Sequence, residues 1–66
     1  MIIRPVDLYQ IIDGSQYIVI ADYVPETAGN GRVIWQGLIK DCPLEYAADD
    51  IAYMTTKDDV LWIETI

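Results

Sequence analysis

The last seven residues, "VLWIETI", would be apolar on both sides of a strand. Alternate side chains of a strand point to opposite faces, so Val60, Trp62 and Ile66 would share one face and Leu61 and Ile63 the other. The segment "QYIVIADYV" (16–24) repeats the pattern, with Tyr17, Val19 and Ala21 opposed to Ile18 and Ile20. So does "RVIWQGLIK" (32–40), with Ile34 and Leu38 opposed to Val33, Trp35 and Ile39. Strands of this kind belong in sheets covered on both faces, whereas half-solvated strands alternate apolar with polar. The chain has only 66 residues from which to supply that cover.

The remaining segments offer little to cover it with. "PVDLYQIIDG" reads as a short helix: Pro5 suits a first helical position, Asp7 lies in the first turn, and Leu8, Ile11 and Ile12 follow the spacing of one buried face. Gly14 would end it. The competing reading is a strand entering an "IIDGSQYIV" hairpin on the Asp-Gly turn signal. "PETAGNG" (25–31) has the chemistry of an exposed loop joining two strands. In "DCPLEYAADD", Pro43 starts a single helical turn carrying Leu44, Tyr46 and Ala47. "IAYMTT" (51–56) and "VLWIETI" form a second hairpin across "KDD". The expected fold is a single α+β domain spanning 1–66. A short N-terminal helix packs on a four-stranded antiparallel sheet or partly closed small roll, with a short helical turn between strands 2 and 3.

Four strands at about 4.8 Å spacing make a sheet roughly 19 Å wide. A nine-residue helix is only about 13 Å long and about 10 Å across. It shields part of one face. Each large apolar side chain left wet forgoes about 1.5–3 kcal/mol, against a total stability of about 5–15 kcal/mol. A surplus apolar face of this kind marks an interaction surface. The expectation is therefore a partner, either a second copy in a homo-oligomer or a foreign protein. A composition 53% hydrophobic favours self-association in so small a chain.

Charge and residue inventory narrow the function classes. Eleven acidic against four basic residues give a net charge of −7. Arg4, Arg32, Lys40 and Lys57 are scattered, which disfavours direct nucleic-acid binding. No stretch is apolar for long enough to cross a membrane as a helix. "MIIRPVDLYQ" lacks the basic-then-apolar order of a signal peptide. With a lone thiol this suggests the cytoplasm, or a host cell's cytoplasm. Cys42 has no intrachain disulfide partner, and with no histidine the chain offers neither a zinc site nor an activated nucleophile. Neither a cofactor nor an enzymatic activity is expected.

The pairs Asp49–Asp50 and Asp58–Asp59 are turn and strand-edge carboxylates, since sequence neighbours on a strand point apart and make no shared-proton dyad. "AGNGR" lacks the Gly-Lys-Ser/Thr ending of a phosphate loop. Trp35 and Trp62, with Tyr53 alongside, are the candidate contact anchors, because indole and phenol rings bury large area while keeping a polar handle. Seven carboxylates (Asp41, Glu45, Asp49, Asp50, Asp58, Asp59 and Glu64) fall between Asp41 and Glu64, opposed there only by Lys57. Asp49, Asp50, Asp58 and Asp59 are the candidates for steering a basic partner.

The order of "VDLYQIID", then a hairpin leading into "KDCPLEYAADD", then "VLWIETI" resembles small proteins encoded by phages and prophages of Gram-positive and gut bacteria. Some small phage proteins inhibit bacterial immunity, so the resemblance implies an anti-defence genre and no residue-specific role. The leading expectation is a non-enzymatic acidic inhibitor that occludes a host defence or nucleic-acid-binding protein. The alternatives are a homo-oligomeric sponge for a small anionic nucleotide, gathering Asn30, Arg32 and Lys57 from several copies, and a structural or assembly component.

Overall fold

The computed structural model describes residues 3–66, in the order α1 (Pro5–Leu8), β1 (Tyr17–Asp22), β2 (Val33–Leu38), α2 (Leu44–Ala47), β3 (Ile51–Lys57) and β4 (Val60–Thr65). Short 3₁₀ turns at Pro25–Thr27 and Ile39–Asp41 flank β2. The first helix is shorter than its apolar spacing predicts. It starts on a β-conformation Arg4, whose N–H donates to the Asp7 carboxylate at 2.9 Å. Beyond Tyr9 the chain turns, with the N–H groups of Ile11 and Ile12 both donating to the Leu8 carbonyl. Asp13 then accepts from the Ser15 amide and hydroxyl at 2.9 and 2.8 Å, a local turn that competes with helix. Leu8 is buried, whereas Ile11 is left outside.

The strand order is β2-β1-β4-β3, with antiparallel outer pairs and a parallel central pair, β1 with β4. The sheet is thus mixed and open, correcting the expected antiparallel sheet or roll. The reason lies in residues 39–50. They cross one face from end to end, so β3 starts at the opposite end of the sheet from where β2 finishes. β4 then returns alongside β1 in the same direction. A crossover of this kind is what parallel neighbours require. The two most buried strands take the centre, as their burial on both faces demands.

Register assigns the faces. Ile18 pairs with Leu61 and Ile20 with Ile63, and this face receives the helices. Leu8, Ile18, Ile20, Ile39 and Ile63 form the core, with Ile12, Ile34, Trp35, Cys42, Tyr46, Ile51 and Leu61 packed around it. The opposite face carries Val19 beside Trp62 and Ala21 beside Glu64, continuing to Thr55 and Tyr53 on β3. A bulge between Ile20 and Ala21 pairs Trp35 with Ile20 but Val33 with Ala21. Val33 and Trp35 therefore lie on opposite faces, although unbroken alternation would put them together.

The second face has a cover of its own. Residues 25–32, between β1 and β2, fold back as a strap across β4 toward β3. Gly31 donates its N–H to Glu64 at 2.9 Å, Gly29 lies against the Tyr53 phenol, and the Lys57 ammonium donates to the Gly29 carbonyl. Val19, Ala21 and Glu64 are buried beneath this layer.

Candidate functional site

The strap closes on a polar cluster. Glu64, on central β4, has no exposed surface. Its Oε2 accepts from the Gly31 amide at 2.9 Å and from the Trp62 indole N–H at 2.8 Å. Its Oε1 is the buried side-chain polar atom without a hydrogen-bond partner among the described residues. Lys57 lies 4.0 Å from the centroid of the Trp62 ring, a cation–π contact that places its charge above the indole. Desolvation pushes the Glu64 carboxyl up, but the Gly31 and Trp62 donors, with the Gly29 amide and the Lys57 charge, outweigh it and hold it below its ordinary value. A single layer of strap explains this balance. It keeps water off the carboxylate without placing it deep in a low-dielectric interior.

Two glycines permit the closure. A Cβ on Gly31 would stand 1.9 Å from the Asp22 carbonyl oxygen, so the backbone there admits no side chain. Gly29 has φ +91°, a conformation that favours glycine. From sequence, both belong to the expected exposed loop 25–31. The signal that could have identified the latch was an acid at position 64 on the otherwise apolar Trp62 face.

A second feature lies on the helix side. Pro5, Val6 and Tyr9 of α1, Ile39 and Lys40 of the 3₁₀ turn, and Cys42, Leu44 and Ala47 around α2 line an apolar cleft of about 240 Å³. Leu44 is 71% exposed and Tyr9 49% exposed at this cleft. Each of the three segments also carries an exposed carboxylate, Asp7, Asp41 and Glu45 respectively. Small-molecule sites span about 300–1,000 Å³, so this volume suits an inserted side chain better than a cofactor. The Cys42 thiol lines it, and burial pushes its pKa up, away from the reactive thiolate.

The residues singled out from sequence are dispersed. Trp35 is half-buried against the core on the helix side, its indole lying over Gly37. Trp62 is half-buried on the strap side, and Tyr53 is half-buried against Gly29. Asp49 and Asp50 precede β3, whereas Asp58 and Asp59 form the turn after it. Seven strand residues separate the pairs, roughly 24 Å of extended chain. They make two patches rather than one. Of the candidate anion-binding residues, Arg32 pairs with Asp22 at 3.2 Å and Lys57 belongs to the strap latch. Asn30 is exposed on the strap.

Among the described residues, no helix is long and apolar enough to cross a membrane. No group of three or more His, Cys, Asp and Glu side chains among them is placed to hold a metal ion. Compared with protein-family models, curated proteins and solved structures, the chain matches none.

Proposed function

We propose that this protein is a non-enzymatic, phage-encoded inhibitor that docks on a basic surface of a host protein and occludes it. The carrying observation is the cleft between α1 and α2: a mainly apolar hollow lined by one charged residue, Lys40, with an exposed carboxylate on every segment that builds it. An apolar side chain of the partner fills the hollow, and flanking Lys or Arg residues meet Asp7, Asp41 and Glu45. The net charge of −7 steers the approach. The resemblance of the residue order to small phage proteins supports the anti-defence setting, in which the occluded protein is a nucleic-acid-binding or signalling component of immunity.

The side-chain chemistry supports binding over catalysis. The Ser15 hydroxyl is engaged by Asp13, the chain has no histidine, and the Cys42 thiol is shifted away from reactivity. Arg32 and Lys57, the two charged members of the anion-binding set, are held in intramolecular contacts, so nothing specific favours the nucleotide sponge.

Leu44→Glu tests the reading, because an exposed position accepts the change without disturbing the core. Immobilised wild-type protein incubated with bacterial extract should retain a basic protein that raised salt elutes. The Leu44→Glu variant, with unchanged circular dichroism, should lose it, and the retained protein's own activity should fall when the wild type is added. Retention indifferent to Leu44→Glu would move docking away from the cleft. Retention without loss of the target's activity would end the inhibitor assignment.

A further inference from the structure

The outer edge of β2 is a row of unpaired backbone groups, and we propose that it pairs with the same edge of a second copy, joining two sheets into one of eight strands. The ladder between β1 and β2 sets the geometry. Ile39 donates its N–H to the Gln16 carbonyl at 2.9 Å, so that pair is hydrogen-bonded. Antiparallel pairs alternate between bonded and non-bonded. By register, Gly37 with Ile18 and Trp35 with Ile20 are bonded, while Gln36 opposite Val19 and Leu38 opposite Tyr17 are not. The C=O of Leu38 caps the Ile39–Asp41 turn, while the N–H groups of Gln36 and Leu38 and the C=O of Gln36 therefore point away from β1. Among the described residues nothing in the chain takes them.

The other sheet edge is managed differently. Ile51 of β3 donates to the Ile3 carbonyl at 2.7 Å, a bulge interrupts β3 after Ile51, and Lys57 stands at its end. Such features blunt an edge. Strand β2 carries no charged residue and no proline, and its own bulge lies at its beginning, leaving the register of 35–38 unbroken through Gly37, whose φ is +157°. This is a site for strand addition.

Charge selects the occupant. A chain of net charge −7 repels its copies, yet β2 itself holds no carboxylate. Antiparallel pairing about a two-fold axis brings the end carrying Arg32, paired with Asp22 but 82% exposed at its side chain, beside the partner's end carrying Lys40 and Asp41, so that both signs of charge meet at each end. The strand is self-complementary under that symmetry. Pairing would also cover Val33, 43% exposed, and part of the half-buried Trp35. A two-fold axis normal to the sheet leaves both α1–α2 clefts on one side. The inference does not depend on what those clefts bind.

Sedimentation equilibrium on the full chain should show mass doubling with concentration. In hydrogen exchange the Gln36 and Leu38 amides should gain protection with concentration, whereas the Gly37 amide should be protected throughout. Gln36→Pro deletes an outward donor and leaves the β1–β2 ladder intact. Because each copy loses one bond, the dimer dissociation constant should rise about tenfold or more. Should that variant fail to fold, backbone N-methylation of Gln36 in a chemically synthesised chain makes the same deletion. A monomeric mass at every concentration overturns the proposal, and so does a dimer unchanged by both deletions. Capture of only a foreign strand by an otherwise monomeric chain also overturns it.

Discussion

Glu64 occupies a position where strand alternation on an apolar face would place another aliphatic side chain. Its carboxylate is the anchor for the strap, and its ionisation is therefore linked to folding. The sign follows from the direction of the shift. The folded carboxyl lies below its ordinary value of 4.5, so the stabilisation is full above that value and is lost as pH falls through the folded value. Asp13, also lowered by its Ser15 contacts, contributes to the same acid limb. Glu64→Gln leaves Asp13 in place and so isolates the latch. We expect it to reduce stability at neutral pH by about 1–2 kcal/mol, the scale of a charge-assisted hydrogen bond. Its denaturant midpoint should also vary less between pH 6 and about pH 3 than that of the wild type. Parallel midpoint curves for the two proteins would mean that the carboxylate does not hold the strap in its ionised form.

At the scale of elements, the β3–β4 turn places two non-glycine residues in left-handed conformations, which Asp tolerates better than most side chains but not as well as glycine. Asp58 and Asp59 have φ 51° and 66°, positive at both central positions of a two-residue hairpin loop. That conformation twists correctly for the flanking strands and favours Asn-Gly or Asp-Gly. Asp59→Gly should raise stability by about 0.4–1 kcal/mol, since it removes left-handed strain that exceeds the entropy glycine adds to the unfolded chain. Urea titration would register the gain, and a loss would imply that the Asp59 side chain has a stabilising contact in the hairpin. The strap shows the opposite economy: its glycines stand where a side chain would collide with the Asp22 carbonyl or demand an unfavourable φ. A loop expected to be exposed thus packs through its glycines, because close backbone approach cannot be inferred from glycine content alone.

For the molecule as a whole, net charge and local pairing oppose one another. Lys57 and Arg32 are engaged locally, while the exposed carboxylates repel. Added salt screens exposed charges over about 8–10 Å but leaves the sealed Glu64 contacts largely intact. The thermal midpoint should therefore rise with ionic strength, while affinity for a basic partner falls. Differential scanning calorimetry and a binding isotherm across the same salt series would compare the two. A midpoint that falls with salt would mean that surface pairs such as Arg32–Asp22 outweigh the net repulsion. The sharing of cover between helices on one face and strap on the other also revises the expected need for company. Part of the shelter that seemed to require a partner is intramolecular; of the apolar side chains still exposed, Val6, Tyr9 and Leu44 lie at the α1–α2 cleft and Val33 lies on β2, while Ile11, Met54 and Ile66 lie elsewhere.

The four strands, the turn after Lys57 and the helical turn after Pro43 could all be read from residue order, because period-two apolarity and turn chemistry act between near neighbours. The acidic balance and the absence of a histidine-activated nucleophile were equally plain. The parallel centre, the bulge that separates Val33 from Trp35, the burial of Glu64 and the cleft were not. Each depends on residues far apart in the chain meeting: 39–50 crossing the sheet, Gly31 reaching Glu64, α1 lying against α2. Local sequence constrains which face a side chain takes within its strand, whereas what lies over that face is decided only when the whole chain closes.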